Sequence, residues 1–116
     1  MTMDPYRRAL VYVRSVLAGV IEETDDGYRF AYDGAYLSGE NPLPVSLTLP
    51  VSETEYRSKT FFPFFDGLIP EGWLLDVASR NWKIDRSDRF GLMMLCCRDC
   101  IGDVSVVPYV EGQHEM

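Results

Sequence analysis

A short turn followed by an alternating aromatic run constrains the fold of this chain more than any other feature. Residues 24–27 (Thr-Asp-Asp-Gly) have the composition of a turn between two antiparallel strands. Directly after it, Tyr28, Phe30 and Tyr32 occupy every second position, which places them on one face of a strand. The preceding segments are apolar and rich in β-branched residues. The pattern predicts three meandering strands at roughly 8–14, 17–23 and 27–33.

The middle of the chain predicts one further strand between two irregular segments. Residues 34–44 contain Gly, Ser, Asn and two prolines, which indicates a loop. Residues 45–49 alternate apolar and hydroxyl side chains between Pro44 and Pro50, which predicts a fourth strand with one solvated face. The segment at 52–60 is polar and turn-like.

The last third of the chain predicts two helices and a closing strand. Pro70 suits the first turn of a helix, and apolar residues recur after it at helical spacing, which predicts a helix over about 70–81. A second, buried helix contains 90–97, with Asp85 or Ser87 as its N-cap. A strand follows from Val104.

This order of elements, ββββ-αα-β, predicts an α+β fold. We expect a mostly antiparallel β-sheet of about five strands, with the helices packed on one side. The 116 residues fit one domain over 1–116, with tails at 1–8 and 110–116.

Charge and composition exclude several classes of function. The formal net charge is -7, and the basic residues are scattered, which disfavours direct binding of nucleic acid. No run of apolar residues reaches the length of a membrane span, and the first residues do not form a secretory signal. The three cysteines form one tight cluster, unlike a secreted disulfide framework. We therefore expect a cytoplasmic protein.

Catalytic and metal-binding patterns are missing from the sequence. It has one histidine, His114, and no glycine-rich phosphate-binding loop. Cys97 and Cys100 have CxxC spacing, but the pair comes at the C-terminal end of a predicted helix, where the helix dipole does not lower a thiol pKa. Asp66 and Glu71 lie in apolar sequence, and are explained by a turn and a helix N-terminus. We expect no enzyme activity, no cofactor and no metal.

An aromatic-rich segment at 61–73, here called the elbow, is the strongest candidate for a binding surface. It contains four phenylalanines and Trp73 within thirteen residues, and aromatic residues dominate interface hot spots. Core packing accounts for about half of the phenylalanines. Trp73 lies on a different helical stripe from Leu74, Ala78 and Trp82. The predicted partner-binding residues are Phe64, Phe65, Asp66, Leu68, Ile69, Pro70, Glu71 and Trp73.

Three segments in order resemble the N-terminal subdomain of HipA-type Ser/Thr kinases. Residues 64–72 (FFDGLIPEG) resemble its signature. In that signature two phenylalanines, an acid and one variable residue precede two leucines, a proline, an acid and a glycine. Residues 98–104 (RDCIGDV) resemble its Asp-Cys-apolar-Gly motif, although Arg98 and Asp103 replace small residues. Residues 45–50 (VSLTLP) resemble a third element. The resemblance covers about 9–108.

A chain made of this subdomain alone is similar to HipS, the small antitoxin of three-component HipB–HipS–HipT systems. The resemblance implies that the chain binds and neutralises a HipT-like Ser/Thr kinase toxin in trans, in a ternary complex with a HipB-like DNA-binding protein. Two alternatives stay open. The chain could be the N-terminal scaffold or regulatory fragment of a full HipA-type kinase, or a small redox or metal protein that uses Cys97 and Cys100.

Overall fold

The computed structural model describes residues 7–69, 80, 87–96 and 103–109, without the side chains of 95 and 96. Within these ranges the chain forms five strands and three helices. The strands are β1 Arg8–Val13, β2 Val16–Thr24, β3 Gly27–Tyr32, β4 Tyr56–Ser58 and β5 Val104–Pro108. The helices are α1 Gly34–Ser38, α2 Pro63–Asp66 and α3 Arg89–Cys96.

The five strands form one antiparallel sheet in the order β4-β3-β2-β1-β5. The two turns that connect β1 to β2 and β2 to β3 are each two residues long, so neighbouring strands in the sequence pair directly. β5 returns from the far end of the chain and pairs with β1, where Val11 lies opposite Val106. The predicted α+β fold with a mostly antiparallel sheet is confirmed.

The core lies on one face of the sheet, under α2 and α3. Alternation along each strand points every second side chain toward this face. Phe30 of β3 is fully buried and its ring centroid lies 5.4 Å from that of Phe65 in α2. Tyr28 stacks on Phe90 of α3 at 6.2 Å. The largest fully buried side chains are Phe30, Phe65, Phe90, Ile21, Ile69, Leu92, Met93, Val11 and Val106.

The predicted strand at 45–49 is wrong. These residues form a tight turn in which Ser46 and Leu49 make an isolated bridge. The Oγ of Ser46 accepts a hydrogen bond from the backbone N–H of Thr48 at 3.1 Å. Such local side-chain bonds offer the backbone an alternative to a strand ladder. The fourth strand is instead Tyr56–Ser58, inside the segment expected to be turn-like, where it pairs with β3 at the sheet edge.

Two helix starts also differ from expectation. Residues 34–38, expected to be loop, form α1 because the carboxylate of Asp33 accepts hydrogen bonds from two backbone N–H groups, of Ala35 at 3.1 Å and Tyr36 at 3.3 Å. The N-cap of α3 is Asp88, since its Oδ1 accepts the N–H of Gly91 at 3.1 Å, and not Ser87. Asp85 lies outside the described residues. The predicted helix at 70–81 also lies outside them, except for Arg80.

No helix in the described ranges is long and apolar enough to cross a membrane.

Candidate functional site

The described part of the elbow, 61–69, is a compact corner built around α2. Pro63 occupies the first turn of the helix, where its missing N–H removes no helical bond. The N–H of Asp66 donates to the carbonyl of Phe62 at 2.9 Å, and the N–H of Gly67 donates to that of Pro63 at 2.9 Å. The chain then turns again, with the N–H of Leu68 bonded to the carbonyl of Phe65 at 3.1 Å. Backbone bonding therefore holds the corner in one conformation.

The four phenylalanines of the elbow divide evenly between core and surface. Phe62 and Phe65 are buried, whereas Phe61 and Phe64 are partly exposed. Phe61 packs edge-on to Tyr28 at 5.1 Å between ring centroids, and Phe64 packs edge-on to Phe65 at 5.1 Å. The expectation that about half of these rings serve core packing agrees with this division.

Two of the predicted partner-binding residues are core residues in this structure. Phe65 is 0% exposed and Ile69 is 2% exposed. Phe65 lies on the face of α2 that packs against Phe30, and Ile69 is in the turn that follows α2, where its N–H donates to the carbonyl of Asp66 at 3.2 Å. Their assignment to a contact surface is therefore corrected. Phe65 and Ile69 support the corner from inside and contribute almost nothing to its exposed surface.

Among the predicted partner-binding residues that the structure describes, Phe64, Asp66 and Leu68 are partly exposed. Pro70, Glu71 and Trp73 lie outside the described residues, as do Cys97 and Cys100. The structure thus brings three of the predicted residues together on one turn of chain. Phe64 and Leu68 offer apolar contact area, and the carboxylate of Asp66 lies between them in the sequence.

Asp66 also connects the elbow to α3. Its Oδ1 accepts a hydrogen bond from the Nε–H of Arg89 at 2.5 Å, and the two side chains are 42% and 26% exposed. Asp66 is the last residue of α2 and Arg89 the first of α3, so this ion pair links the elbow to the start of α3. Sequence reasoning assigned Asp66 to a turn, and did not find this partner.

An ion-pair network beneath α3 was also missed by the sequence analysis. Arg7 donates to Glu23 at 2.8 Å and to Asp88 at 2.8 Å, and its guanidinium lies 5.2 Å from the ring centroid of Phe90. These hydrogen bonds from Arg7 hold the pKa values of the Glu23 and Asp88 carboxyls below their ordinary range. Gly91 makes room for the network, because a Cβ there would lie 2.4 Å from Oδ2 of Asp88.

Three large apolar side chains are exposed elsewhere on the described surface. Val16 is 55% exposed, Leu43 is 41% exposed and Leu47 is 93% exposed. Val16 and Leu43 line one shallow groove, whereas Leu47 stands at the tip of the turn at 45–49. The sequence singles out none of them, since Val16 falls in the gap between two predicted strands, Leu43 in a predicted loop, and Leu47 in the predicted strand at 45–49.

The face of the sheet opposite the core carries a row of charges beside an apolar hollow. Glu22 lies between Arg8 and Arg29 on the neighbouring strands, with its oxygens 3.4 Å and 3.0 Å from their Nε atoms. Next to this row, a hollow of about 660 Å³ is lined by the apolar residues Leu10 and Val20, among others. Arg29 also lies 3.3 Å from a carboxylate oxygen of Glu55, so two arginines and two glutamates alternate along this row.

Comparisons with known proteins agree with this architecture. The family model of the HipA N-terminal domain matches residues 9–107. A solved structure of the N-terminal domain of HipA toxin superposes with a TM-score of 0.72 at 25% sequence identity, and the match covers 95% of this chain and 99% of that chain.

Two relatives differ in length. An uncharacterized protein of Haemophilus influenzae is 30% identical over 103 residues, which are 89% of this chain and 93% of that protein. Putative kinase Y4mE of Sinorhizobium fredii is 32% identical over 79 residues, 68% of this chain but 19% of the kinase. The family match covers most of the residues that form the sheet and the elbow. The chain belongs to the HipA N-terminal domain family.

Proposed function

We propose that this chain is an antitoxin of the HipS type, which binds a HipA-type Ser/Thr kinase toxin and neutralises it in trans. The observation that carries the proposal is the contrast between the two relatives. In the Sinorhizobium putative kinase the matching segment is a small part of a much longer chain. In the Haemophilus protein the match takes up 93% of the whole. The same domain therefore occurs both joined to a putative kinase and nearly by itself.

We infer that a domain which packs against the rest of a kinase within one chain carries a surface complementary to that kinase. When the domain is supplied as a separate chain, the same surface allows it to dock on a kinase that lacks it. The association would need no catalysis by this chain. In line with that role, we propose that the chain is not an enzyme, because its sequence contains no phosphate-binding loop and no histidine-based catalytic set.

The elbow is our proposed contact surface. Phe64 and Leu68 provide partly exposed apolar area on a corner fixed by backbone hydrogen bonds and by the pairing of Asp66 with Arg89. A fixed corner loses little conformational entropy on docking, so more of its contact energy appears as affinity. Pro70, Glu71 and Trp73 follow directly in the sequence, and we propose that they extend the same contact.

In this proposal the assembly acts in the cytoplasm and includes a HipB-like DNA-binding protein that contacts the operator. The acidic chain would bind the other proteins and not the DNA, because its net charge of -7 disfavours contact with phosphates.

A second candidate function is a scaffold or regulatory role inside a longer HipA-type kinase. The Sinorhizobium protein favours it, because the matching segment lies within a single chain there. The reading frame around the coding sequence separates the two functions. A kinase domain encoded in the same frame would assign the chain to the longer protein, and a separate neighbouring kinase gene would favour action in trans.

Co-expression tests the antitoxin role directly. The kinase to use is a HipA-type protein encoded beside this chain and lacking this domain. We expect that induction of the kinase alone arrests growth, that co-expression of this chain restores growth, and that the two proteins co-purify. Growth arrest that persists despite full expression of the folded chain would contradict the proposal.

A further inference from the structure

A shallow groove lies at the end of the sheet where β1 turns into β2. Its apolar walls are Val16 on one side and Leu43 on the other, and Tyr36 of α1 lines it between them. The groove has a volume of about 260 Å³. Small-molecule pockets are usually about 300–1,000 Å³ in volume. The groove is therefore small for a cofactor, and suits one or two side chains of a protein.

Backbone strain is concentrated at the same place. In the described ranges, three residues other than glycine have positive φ, namely Arg14 at 51°, Ser15 at 69° and Asn41 at 51°. Arg14 and Asn41 line the groove, and Ser15 lies between Arg14 and Val16. The left-handed conformation costs roughly 1–2 kcal/mol for a residue with a Cβ, less for Asn. The two-residue turn between β1 and β2 requires positive φ at both of its positions, so Arg14 and Ser15 hold this wall of the groove in the fixed geometry of a tight hairpin.

Hydrogen bonds hold both walls of the groove in place. The backbone N–H of Arg14 donates to the carbonyl of Asp103 at 2.7 Å, which ties the strained turn to the start of β5. On the other wall, the hydroxyl of Tyr36 donates to the carbonyl of Leu43 at 2.6 Å and accepts its N–H at 3.0 Å. The exposed apolar side chains are thus presented by a preorganised surface.

The charges around the groove indicate the chemistry of its occupant. Arg14 is compensated by Asp103, whose Oδ2 lies 3.4 Å from its Nε. Glu40 also lines the groove, is exposed, and has no ion-pair partner among the described residues. The rim therefore carries one uncompensated negative charge beside an apolar slot. This arrangement complements an apolar side chain that is followed or preceded by a lysine or arginine.

We infer that this groove is a second docking site for the kinase, and that it takes an apolar side chain adjacent to a basic residue of that protein. The inference rests on the proposed function and adds a contact separate from the elbow. Phe61 of the elbow contacts Tyr28 at the first end of β3, whereas the groove lies beyond Tyr32 at the other end. Tyr28 and Tyr32 are four residue steps apart along β3, which corresponds to about 13 Å.

The test compares variants inside and outside the groove for affinity toward the same kinase, measured by calorimetry. Val16→Ser and Leu43→Ser remove apolar area from the groove. Leu47→Ser removes the same kind of side chain from a surface that is 93% exposed and does not line the groove. We expect each groove variant to bind about tenfold more weakly, or worse, and Leu47→Ser to bind like the unchanged chain.

A second pair of variants tests the charge. Glu40→Gln should weaken binding, with an effect that shrinks at high salt, whereas Glu53→Gln, also exposed but outside the groove, should leave binding unchanged. Hydrogen exchange of the unchanged complex should show protection at 14–16 and 40–43, which checks the site without any substitution.

The outcomes separate this inference from the proposed function. If the unchanged chain binds the kinase and the groove variants bind equally well, the inference is wrong and the proposed function stands. Equal weakening by Leu47→Ser would also overturn it, because the effect would then not belong to the groove. If the unchanged chain does not bind the kinase, both the proposed function and the inference fall.

Discussion

The phenol of Tyr32 donates a hydrogen bond to the main-chain carbonyl of Leu49, and it accepts one from the N–H of Val45 at 2.9 Å. One side chain from the end of β3 therefore satisfies both ends of the turn at 45–49 and attaches that turn to the core. Burial raises the pKa of the Tyr32 hydroxyl, so it stays protonated and able to donate through the physiological pH range.

Tyr32→Phe should destabilise the domain by about 2 kcal/mol, because it leaves a buried N–H and a buried carbonyl without partners. Tyr36→Phe is the matched control. Its hydroxyl makes the same pair of bonds to Leu43, but at exposed positions where water can replace them. We expect that control to lose less than 1 kcal/mol. Urea denaturation measures both free energies of unfolding, and equal losses would contradict the bridging role of Tyr32.

Stability should decrease in acid through the network of Arg7, Glu23 and Asp88. The ordinary pKa values of the two carboxyls, 4.5 and 3.8, are lowered in the folded state by hydrogen bonds from Arg7. A lowered folded-state pKa adds stability above the unfolded pKa, and this stability is lost as the pH falls through the folded value. We therefore expect the free energy of unfolding to fall from about pH 5 downward.

Arg7→Gln isolates the contribution of this network from that of other carboxylates. At pH 7 the variant should be less stable than the unchanged chain by about 1 kcal/mol. The loss is no larger because the groups are partly exposed and solvent screens their interaction. This difference should shrink as the pH is lowered toward 3. Denaturation curves at several pH values measure it, and a difference that is independent of pH would exclude the network as its source.

Ser15→Gly should stabilise the domain by roughly 0.5–1 kcal/mol, because glycine adopts the left-handed conformation at Ser15 without the Cβ clash. Ser15→Ala keeps the Cβ and therefore serves as the control, for which we expect no gain. Thermal melts of the two variants decide the point. A glycine variant that is no more stable than the alanine variant would show that the turn between β1 and β2 is unstrained.

The elbow should separate into supporting and contacting residues. Phe65→Ala removes a fully buried ring, and should cost about 3–5 kcal/mol of stability. Phe64→Ala removes a partly exposed ring, so it should lower the affinity for the kinase more than it lowers stability. Trp73→Ala should weaken binding by roughly 2 kcal/mol, about thirtyfold in affinity.

Calorimetry and thermal melts on the three variants test this separation. Unchanged affinity for both Phe64→Ala and Trp73→Ala would show that the elbow is not part of the interface.

The hairpins could be predicted from the sequence because their signals are local. The turn residues at 24–27, the alternation after them and the β-branched composition before them place β1, β2 and β3 within one residue of their observed ends. The turn at 45–49 could not be predicted, because its alternation suits a strand equally well. A distant hydroxyl, that of Tyr32, satisfies its backbone instead of a neighbouring strand.

The sequence proposes the elbow as a contact surface but does not show which of its side chains are exposed. Aromatic density located the elbow, yet only the packing of α2 against Phe30 determines that Phe65 is inside and Phe64 outside. The groove between Val16 and Leu43 has no sequence signal at all. The groove forms where residues 13–16 meet residues 35–43, and both segments contain positive φ angles. Neither this contact nor the φ angles can be deduced from the order of residues.

Titration of the purified chain into the HipA-type kinase that lacks this domain, with phosphorylation followed in the same samples, tests the central claim most directly. We predict saturable binding and a parallel loss of kinase activity as the complex forms. The chain alone should transfer no phosphate from ATP. Absence of binding at micromolar concentrations, or a fully active kinase in the saturated complex, would contradict the proposal that this chain neutralises a kinase in trans.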